Sequence, residues 1–468
     1  MRITSFSIIL AFAACGGGQK PSVKNTGVPA PAQVTKSTET AAGNVPASQI
    51  SADARSDYQA AVQYFTQNDK AAWSESTCRT AADKFVAVVR EHPDLVAAQF
   101  MVGLSFHRCG LMEEAEKAYQ AATRMKGDPT KQAMALSNLG QIYYSAGKVD
   151  GAKQYWESAV KANGKLVAAR INLASLAIDQ MRKINNVKDS RWKTLEDDAK
   201  QNLSNALGVD ADSVEAYTAY ALLYMEGSDA NKNRLLLAKL LLDEGKQRNA
   251  KYPPLLNASG LYFMHRGSLN EALASFTQAV DGDPKFVEAR VNAGMLTLGF
   301  RKYDTAKDLF TKAVELQPKN YDAVIGLGIA LRGLKDLDGA EAQYKKAKDI
   351  DPRRADSYYN LGVLYKEFRA NQQNDSDPIR ALRASQNQYR QAKEFFTQAL
   401  DKEGSAGDKA EARNNIGDCD KVMKQLDKAI SSLASQPPST PAPAAAPAAP
   451  APGGAAASGP AASPNDKK

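Results

Sequence analysis

Small, aromatic and proline residues recur along this 468-residue chain at an interval of 34 positions. Between residues 253 and 352 three blocks align without gaps, and their matching positions are mostly Gly, Ala, aromatic or Pro. The matching positions are Gly260, Phe263, Gly267, Ala272, Phe276, Ala279 and Pro284; then Gly294, Thr297, Arg301, Ala306, Phe310, Ala313 and Pro318; then Gly328, Leu331, Lys335, Ala340, Tyr344, Ala347 and Pro352. A fixed period of this length is typical of a stacked repeat architecture.

Within one block the spacing predicts two helices, A and B, joined by a short turn. Gly260 lets the two helices approach closely, and Ala272 and Ala279 keep the facing surface of helix B small. Phe276 fills the gap between the helices. Pro284 ends helix B because proline cannot continue the hydrogen-bond ladder.

This pattern resembles the tetratricopeptide repeat (TPR), a helix-turn-helix of 34 residues. The resemblance implies an all-α, right-handed superhelical solenoid. With looser copies before and after the three blocks, we predict about nine repeats over residues 51–434, closed by a polar capping helix near 409–434. Insertions interrupt the repeats near 179–195, 225–235 and 370–391.

The N-terminal residues 1–14 have the features of a secretory signal. Met1-Arg2 precedes a short apolar stretch that ends at Ala13-Ala14, and this stretch is too short to span a membrane. Phe12-Ala13-Ala14-Cys15 resembles the end of a bacterial lipoprotein signal, although Phe12 stands where that family usually has Leu. The resemblance implies that Cys15 carries acyl chains such as palmitate, and Gly16 favours the outer membrane. The alternative is an ordinary secreted protein in which Cys15 is incidental.

Two segments flank the predicted repeats. Residues 15–50 begin with the lipidated Cys and continue as a Gly-, Pro-, Ser- and Thr-rich leash, with a root-mean-square span of about 33 Å for a flexible coil. Residues 435–468 form a Pro/Ala-rich tail that buries too little apolar surface to fold. The tail is interpreted as a spacer, with a docking motif as the alternative.

The charge and the chemistry-bearing residues exclude several functions. The net charge is +8, and half of it lies outside residues 51–434, so nucleic acid is not an expected partner. No catalytic motif is present, and we predict no enzyme activity, cofactor or metal site. The histidines are dispersed, and His107 and His265 are expected to be solvated groove residues.

The cysteines suggest one disulfide. Cys78 lies near the start of one predicted helix and Cys109 near the end of the next, and antiparallel packing brings such ends together. In an oxidising periplasm we expect them to be bonded, with two buried thiols as the alternative. Cys419 has no evident mate.

TPR families line their concave face with set positions of helix A, so the resemblance implies a partner-binding groove here. Its residues are Leu261, Met264, Val291, Asn292, Met295, Leu298, Ile325, Ile329, Arg332, Tyr359, Asn360, Val363 and Lys366. Such a stripe would accept an amphipathic helix or an extended peptide. The alternative is that these side chains pack against the adjacent helix A. The basic insertion Met181–Thr194, which contains Trp192, is expected to be a solvated helix extension rather than a contact for acidic partners or lipid.

These features together predict a scaffold attached by lipid to the outer membrane, facing the periplasm and binding proteins of a cell-envelope machine. The chain is similar to TPR lipoproteins of myxobacterial gliding motility and to pilotins, the assembly factors of secretin channels. A pilotin-like role is one alternative. An activator of peptidoglycan enzymes, or an envelope enzyme, is an alternative of another class.

Overall fold

The computed structural model describes residues 51–69, 73–184, 186–372, 375–404 and 406–435, without the side chains of residues 406 and 407. The predicted signal at 1–14, the leash with Cys15, and all but the first residue of the tail lie outside the described residues. Every regular element in the described part is a helix.

The helices follow one another as nine A/B pairs and a final single helix. The pairs are α1 (Ala52–Asp69) and α2 (Glu75–Glu91); α3 (Val96–Arg108) and α4 (Met112–Arg124); α5 (Pro129–Ser145) and α6 (Val149–Ala162); α7 (Val167–Lys183) and α8 (Ser190–Val209); α9 (Val214–Met225) and α10 (Asn233–Asn249); α11 (Pro253–His265) and α12 (Leu269–Gly282); α13 (Val287–Gly299) and α14 (Tyr303–Leu316); α15 (Tyr321–Gly333) and α16 (Leu337–Ile350); α17 (Ala355–Val363) and α18 (Pro378–Leu400). The last helix is α19 (Ala406–Ala434). This order confirms the predicted all-α TPR solenoid of nine repeats and a cap.

Each pair closes by inserting one large side chain of helix B against a small residue of helix A. Phe276 and Tyr344 have no exposed surface. A Cβ atom on Gly260 would lie 2.4 Å from the Phe276 ring, and one on Gly328 would lie 2.5 Å from the Tyr344 ring. Because real Cβ atoms do not approach so closely, these two contacts require glycine on helix A.

The turn between helix A and helix B demands a left-handed residue. Gly267 has φ +76°, which glycine adopts without strain. At the equivalent position of the next two repeats, Arg301 and Lys335 hold φ +58° and +70°. Such values are uncommon for side chains of this kind. The packing of the surrounding helices therefore fixes the turn even where the sequence departs from glycine.

The fourth and fifth repeats, α7 to α10, close differently. Here helix A carries Ala174 or Ala221, and the buried residue of helix B is Leu203 or Leu242. Helix A thus has Ala in place of the smaller Gly, and helix B has Leu in place of a larger aromatic residue. The two changes together conserve the volume at the contact. The predicted insertion near 179–195 becomes the end of α7, a short connection and the extra N-terminal turns of α8.

The core divides along the chain. One continuous apolar cluster extends from Val214 to Leu364. Before it, the buried residues form separate clusters over 58–142, 152–176 and 171–223. One cluster therefore joins the fifth to eighth repeats and helix A of the ninth, whereas the earlier repeats are divided among several clusters and the ninth has a further cluster around Phe396.

The C-terminal end departs from the regular pattern. Helix A of the ninth repeat continues from α17 into a π-helical segment, Leu364–Phe368, and a 3-10 turn, Arg369–Asn371. The predicted insertion near 370–391 is a short connection followed by the lengthened first half of α18. No helix among the described residues is long and apolar enough to cross a membrane.

Candidate interaction surfaces

The predicted groove residues lie on the A helices as expected, but most of them are not accessible. Asn292 is 1% exposed, Val363 2% and Met295 7%. Of the predicted set, Ile329 and Lys366 are half-buried, and the other eleven are buried. Neighbouring A helices, such as α13 and α15, contact each other directly, so their side chains interlock. The expectation of an open apolar stripe is therefore wrong for the other eleven, which pack against the adjacent helix A.

The polar members of the predicted groove bond within the chain. Asn292 donates from Nδ2 to Oδ1 of Asn257 at 2.9 Å. Arg332 donates to Oδ1 of Asn360 at 3.4 Å, and its guanidinium lies 5.8 Å from the centre of the Phe368 ring. These groups stabilise contacts between successive A helices.

Helix α19 covers the groove at the ninth repeat. Tyr359 donates its hydroxyl to Glu411 at 2.7 Å. Lys366 donates to Asn415 at 2.8 Å and forms an ion pair with Asp418 at 3.3 Å. The cap thus occupies the place that helix A of a tenth repeat would take, and the groove residues of the ninth repeat hold the cap.

A chain of polar contacts links the A helices of the third to fifth repeats. The Tyr144 hydroxyl donates to Asp179. Arg182 contacts Asp179 at 3.3 Å and donates from Nε to Glu226 at 2.7 Å. Each step from Tyr144 to Asp179 and from Arg182 to Glu226 crosses a repeat boundary. Sequence reasoning missed this chain; its signal was the run of charged residues at the ends of helices that lack the regular pattern.

The two histidines expected to be solvated are half-buried between helices. Burial lowers the pKa of His107 and that of His265 to about 4, so both rings are neutral at pH 7. The His107 ring lies 3.4 Å from the hydroxyl of Tyr119, and His265 lies 3.2 Å from the hydroxyl of Ser228. Both therefore contribute to packing between helices.

The basic insertion turns its aromatic residue inward. Trp192 is 6% exposed, and the Arg234 guanidinium lies 5.3 Å from its ring. Arg234 also binds Glu196. Arg191 and Lys193 remain exposed, but each has an acidic partner. The segment is the expected helix extension. Arg234 holds it in place by stacking on Trp192 and pairing with Glu196.

The predicted disulfide is present in the structure. Cys78 lies in the first turn of α2 and Cys109 follows the last residue of α3, with a Cα–Cα distance of 6.3 Å. The bond joins the first repeat to the second. Cys419 is a buried thiol in α19, and burial raises its pKa to about 11.

Helix α10 carries an apolar face that sequence reasoning did not single out. Leu236, Leu237 and Leu240 are 61%, 44% and 57% exposed. Their helix also buries Leu235 and Leu242 on its inner side. The signal was the segment LLLAKLLL, which has more leucines than one helix face can bury.

The described residues form a small cavity and an open surface depression of about 700 Å³ along residues 317–322. A cavity beside Tyr359 and Asp408 has about 10 Å³, enough for one water molecule. No group of three or more His, Cys, Asp or Glu side chains in the described part is placed to hold a metal ion.

Comparison with known proteins agrees with the repeat architecture. The tetratricopeptide repeat family model matches residues 70–129 and 291–355. Similar solved structures include a thermophilic TPR protein of Thermus thermophilus, 25% identical over 43% of this chain and 99% of that one, with a TM-score of 0.36. The Cut9-Hcn1 hetero-tetramer of the APC/C is 14% identical over 85% and 88%, with a TM-score of 0.37. PilF of Pseudomonas aeruginosa is 18% identical over 50% and 96%, with a TM-score of 0.35. No curated protein matches the chain.

Proposed function

We propose that this chain, whose repeats are tetratricopeptide repeats, is a periplasmic scaffold that is attached to the outer membrane through Cys15 and binds proteins of a cell-envelope machine. TPR folds generally serve as scaffolds that bind peptides or proteins along an extended surface. The observation that carries the proposal is the architecture: nine helix pairs in one row and a cap. A protein of this shape presents a long surface to more than one partner.

The compartment is supported by the cysteines. The Cys78–Cys109 disulfide joins two helices, and disulfides of this kind persist in oxidising compartments such as the periplasm. The residues Phe12 to Cys15 resemble the end of a lipoprotein signal, which supports the anchor. A multiply acylated cysteine would hold the protein firmly on the membrane, because each buried methylene contributes about 0.8 kcal/mol.

The machine is proposed from the resemblance to TPR lipoproteins of gliding motility and of secretion. A nine-repeat array suits a scaffold that holds several components better than a short assembly factor does. A pilotin-like role in secretin assembly is the second candidate, since it would use the same anchor and fold.

The anchor is tested with a Cys15→Ser variant in the native cell. We expect the native protein to fractionate with outer membranes and to have the mass of an acylated Cys15 N-terminus. The variant should be released in soluble form from the periplasm. An unacylated native protein, or a variant that stays in the outer membrane, would contradict lipid anchoring.

Partner binding is tested by crosslinking cells, purifying the anchored protein and identifying bound proteins by mass spectrometry. Ile329→Asp changes the accessible apolar member of the predicted groove, and Val86→Asp, at a 39% exposed position on α2, is the matched control. We expect motility or secretion components with the native protein and the control, and their loss with Ile329→Asp. Circular dichroism checks that both variants fold.

The outcomes separate the alternatives. Capture that persists with Ile329→Asp would contradict the groove as the binding surface while leaving the scaffold in place. Absence of any envelope component from the native sample would overturn the scaffold. Cleavage of peptidoglycan by the purified chain would favour the enzyme alternative.

A further inference from the structure

Helix α10 is apolar on two opposite sides. On its inner side Leu235, Ala238 and Leu242 belong to the main core cluster. On its outer side Leu236 and Leu240 lie one helical turn apart, since residues four positions apart share a face. A helix that is apolar all round is normally covered on both sides. Among the described residues, only the inner side is covered.

This exposure is concentrated rather than scattered. Seven large apolar side chains are strongly exposed in the described part of the chain, and three of them are Leu236, Leu237 and Leu240. Single exposed apolar residues need no explanation. A contiguous patch rimmed by charged residues marks an interaction site. We refer to these three leucines as the α10 ridge.

We propose that the α10 ridge pairs with the α10 ridge of a second copy of this chain, with the two helices antiparallel about a two-fold axis. In such a pairing Leu236 of each copy meets Leu240 of the other. The ridge is then complementary to itself, as a two-fold interface requires. No other segment of either copy is needed.

The charges beside the ridge fit the same pairing. Lys232 and Asp243 lie on one flank of α10, before and after the leucines. When Leu236 faces Leu240 of the second copy, Lys232 comes within one residue, about 1.5 Å along the helix axis, of the position opposite Asp243 of the second copy. Within one chain these residues form exposed pairs, Lys232 with Asp229 at 3.4 Å and Lys239 with Asp243 at 2.5 Å. Both can extend to the second copy without leaving a buried charge unpaired.

A lipid surface fits the ridge less well. Anionic membranes attract clusters of unpaired cations. Beside the ridge, Lys232 and Lys239 each have an acidic neighbour within ion-pair distance. The patch is therefore apolar without a net positive charge.

The pairing is expected to be weak in solution. A single pair of helices falls below the roughly 1,000 Å² that stable interfaces bury. Association should therefore depend on concentration. The inference goes beyond the proposed function, because it needs neither the lipid anchor nor the envelope machine.

The test is sedimentation velocity of the full chain carrying Cys15→Ser, over a wide concentration range. We expect a reversible monomer–dimer equilibrium. Leu240→Lys should weaken it at least about tenfold, because it places a cation against Leu236 of the second copy at the apolar contact. Val86→Lys is the matched control, since it alters an exposed apolar residue on another helix and should leave the equilibrium unchanged. Equal melting temperatures exclude misfolding as the cause.

Charge exchange gives a second, independent measurement. Lys232→Asp alone and Asp243→Lys alone should each reduce dimer formation, and the double variant should restore it. A chain that is monomeric at every concentration overturns the proposal. A dimer that survives Leu240→Lys also overturns it, by placing the interface elsewhere. Flotation of the chain with phosphatidylglycerol vesicles that is lost with Leu240→Lys, without dimer formation, would assign the ridge to lipid instead.

Discussion

The repeats before residue 253 and those after it use the same helix pair but are joined by different contacts. In the sixth to ninth repeats, as in the second and third, a glycine faces an aromatic ring, and one apolar cluster passes from the fifth repeat to helix A of the ninth. In the earlier repeats the core is divided, and a disulfide, a clamped tryptophan and a chain of ion pairs join neighbouring helices. Where the period is lost, specific polar and covalent contacts replace uniform packing.

This difference has a thermodynamic consequence. In a solenoid each repeat contacts only its neighbours, so stability is approximately a sum over repeats and their interfaces. A change in one half should therefore lower protection from hydrogen exchange in that half first. Peptide-resolved hydrogen exchange can then measure the two halves separately.

The largest expected effect is from Trp192→Ala in the irregular half. Removing a buried tryptophan leaves a cavity and should lower the free energy of unfolding of the surrounding repeats by about 4 kcal/mol. The Arg234 guanidinium would also lose the ring on which it stacks. Hydrogen exchange should rise in α8 to α10 and remain unchanged in α13 to α16. Trp192→Phe is the control, and it should retain most of the protection; equal loss in α13 to α16 would contradict independent halves.

A smaller effect is expected from removing the disulfide. The bond joins cysteines that are 31 residues apart in the sequence. A Cys78→Ala, Cys109→Ala double variant removes this crosslink and should lower the free energy of unfolding of the first two repeats by about 3–4 kcal/mol. Intact mass before and after reduction first checks that the bond forms. Exchange should then rise in α1 to α4 on reduction or in the variant. Two free thiols in the native protein would refute the bond, and no change in α1 to α4 would refute its structural role.

The smallest effect concerns the pairing of glycine with aromatic residues. Gly328→Ala places a Cβ against the Tyr344 ring and should cost about 2 kcal/mol. Adding Tyr344→Leu should recover part of that loss, because it reproduces the Ala–Leu contact of the fourth and fifth repeats. A double-mutant cycle measures the coupling. Additive costs would show that the two positions do not constrain each other.

Much of the fold was predictable because it depends on contacts inside one repeat. The spacing from Gly260 to Phe276 and Pro284 lies within a single period, so the helix pair can be inferred from the sequence. The same holds for Cys78 and Cys109, which lie at ends of consecutive helices. Each of these features requires only local geometry.

The candidate site was less predictable because exposure depends on neighbouring repeats. Met295 and Ile325 occupy groove positions by sequence, yet the close approach of α13 and α15 buries both. Trp192 could have faced solvent in a basic segment, but Arg234 and Glu196, distant in sequence, hold it inside.

The sequence by itself therefore determined the repeat and its number, because a periodic pattern specifies each helix pair locally, and it brought Cys78 and Cys109 together without deciding whether they are bonded. Only the tertiary structure decided which side chains remain accessible, because accessibility depends on the distance between successive helices. It closed most of the predicted groove and left Leu236, Leu237 and Leu240 exposed on the outer side of α10.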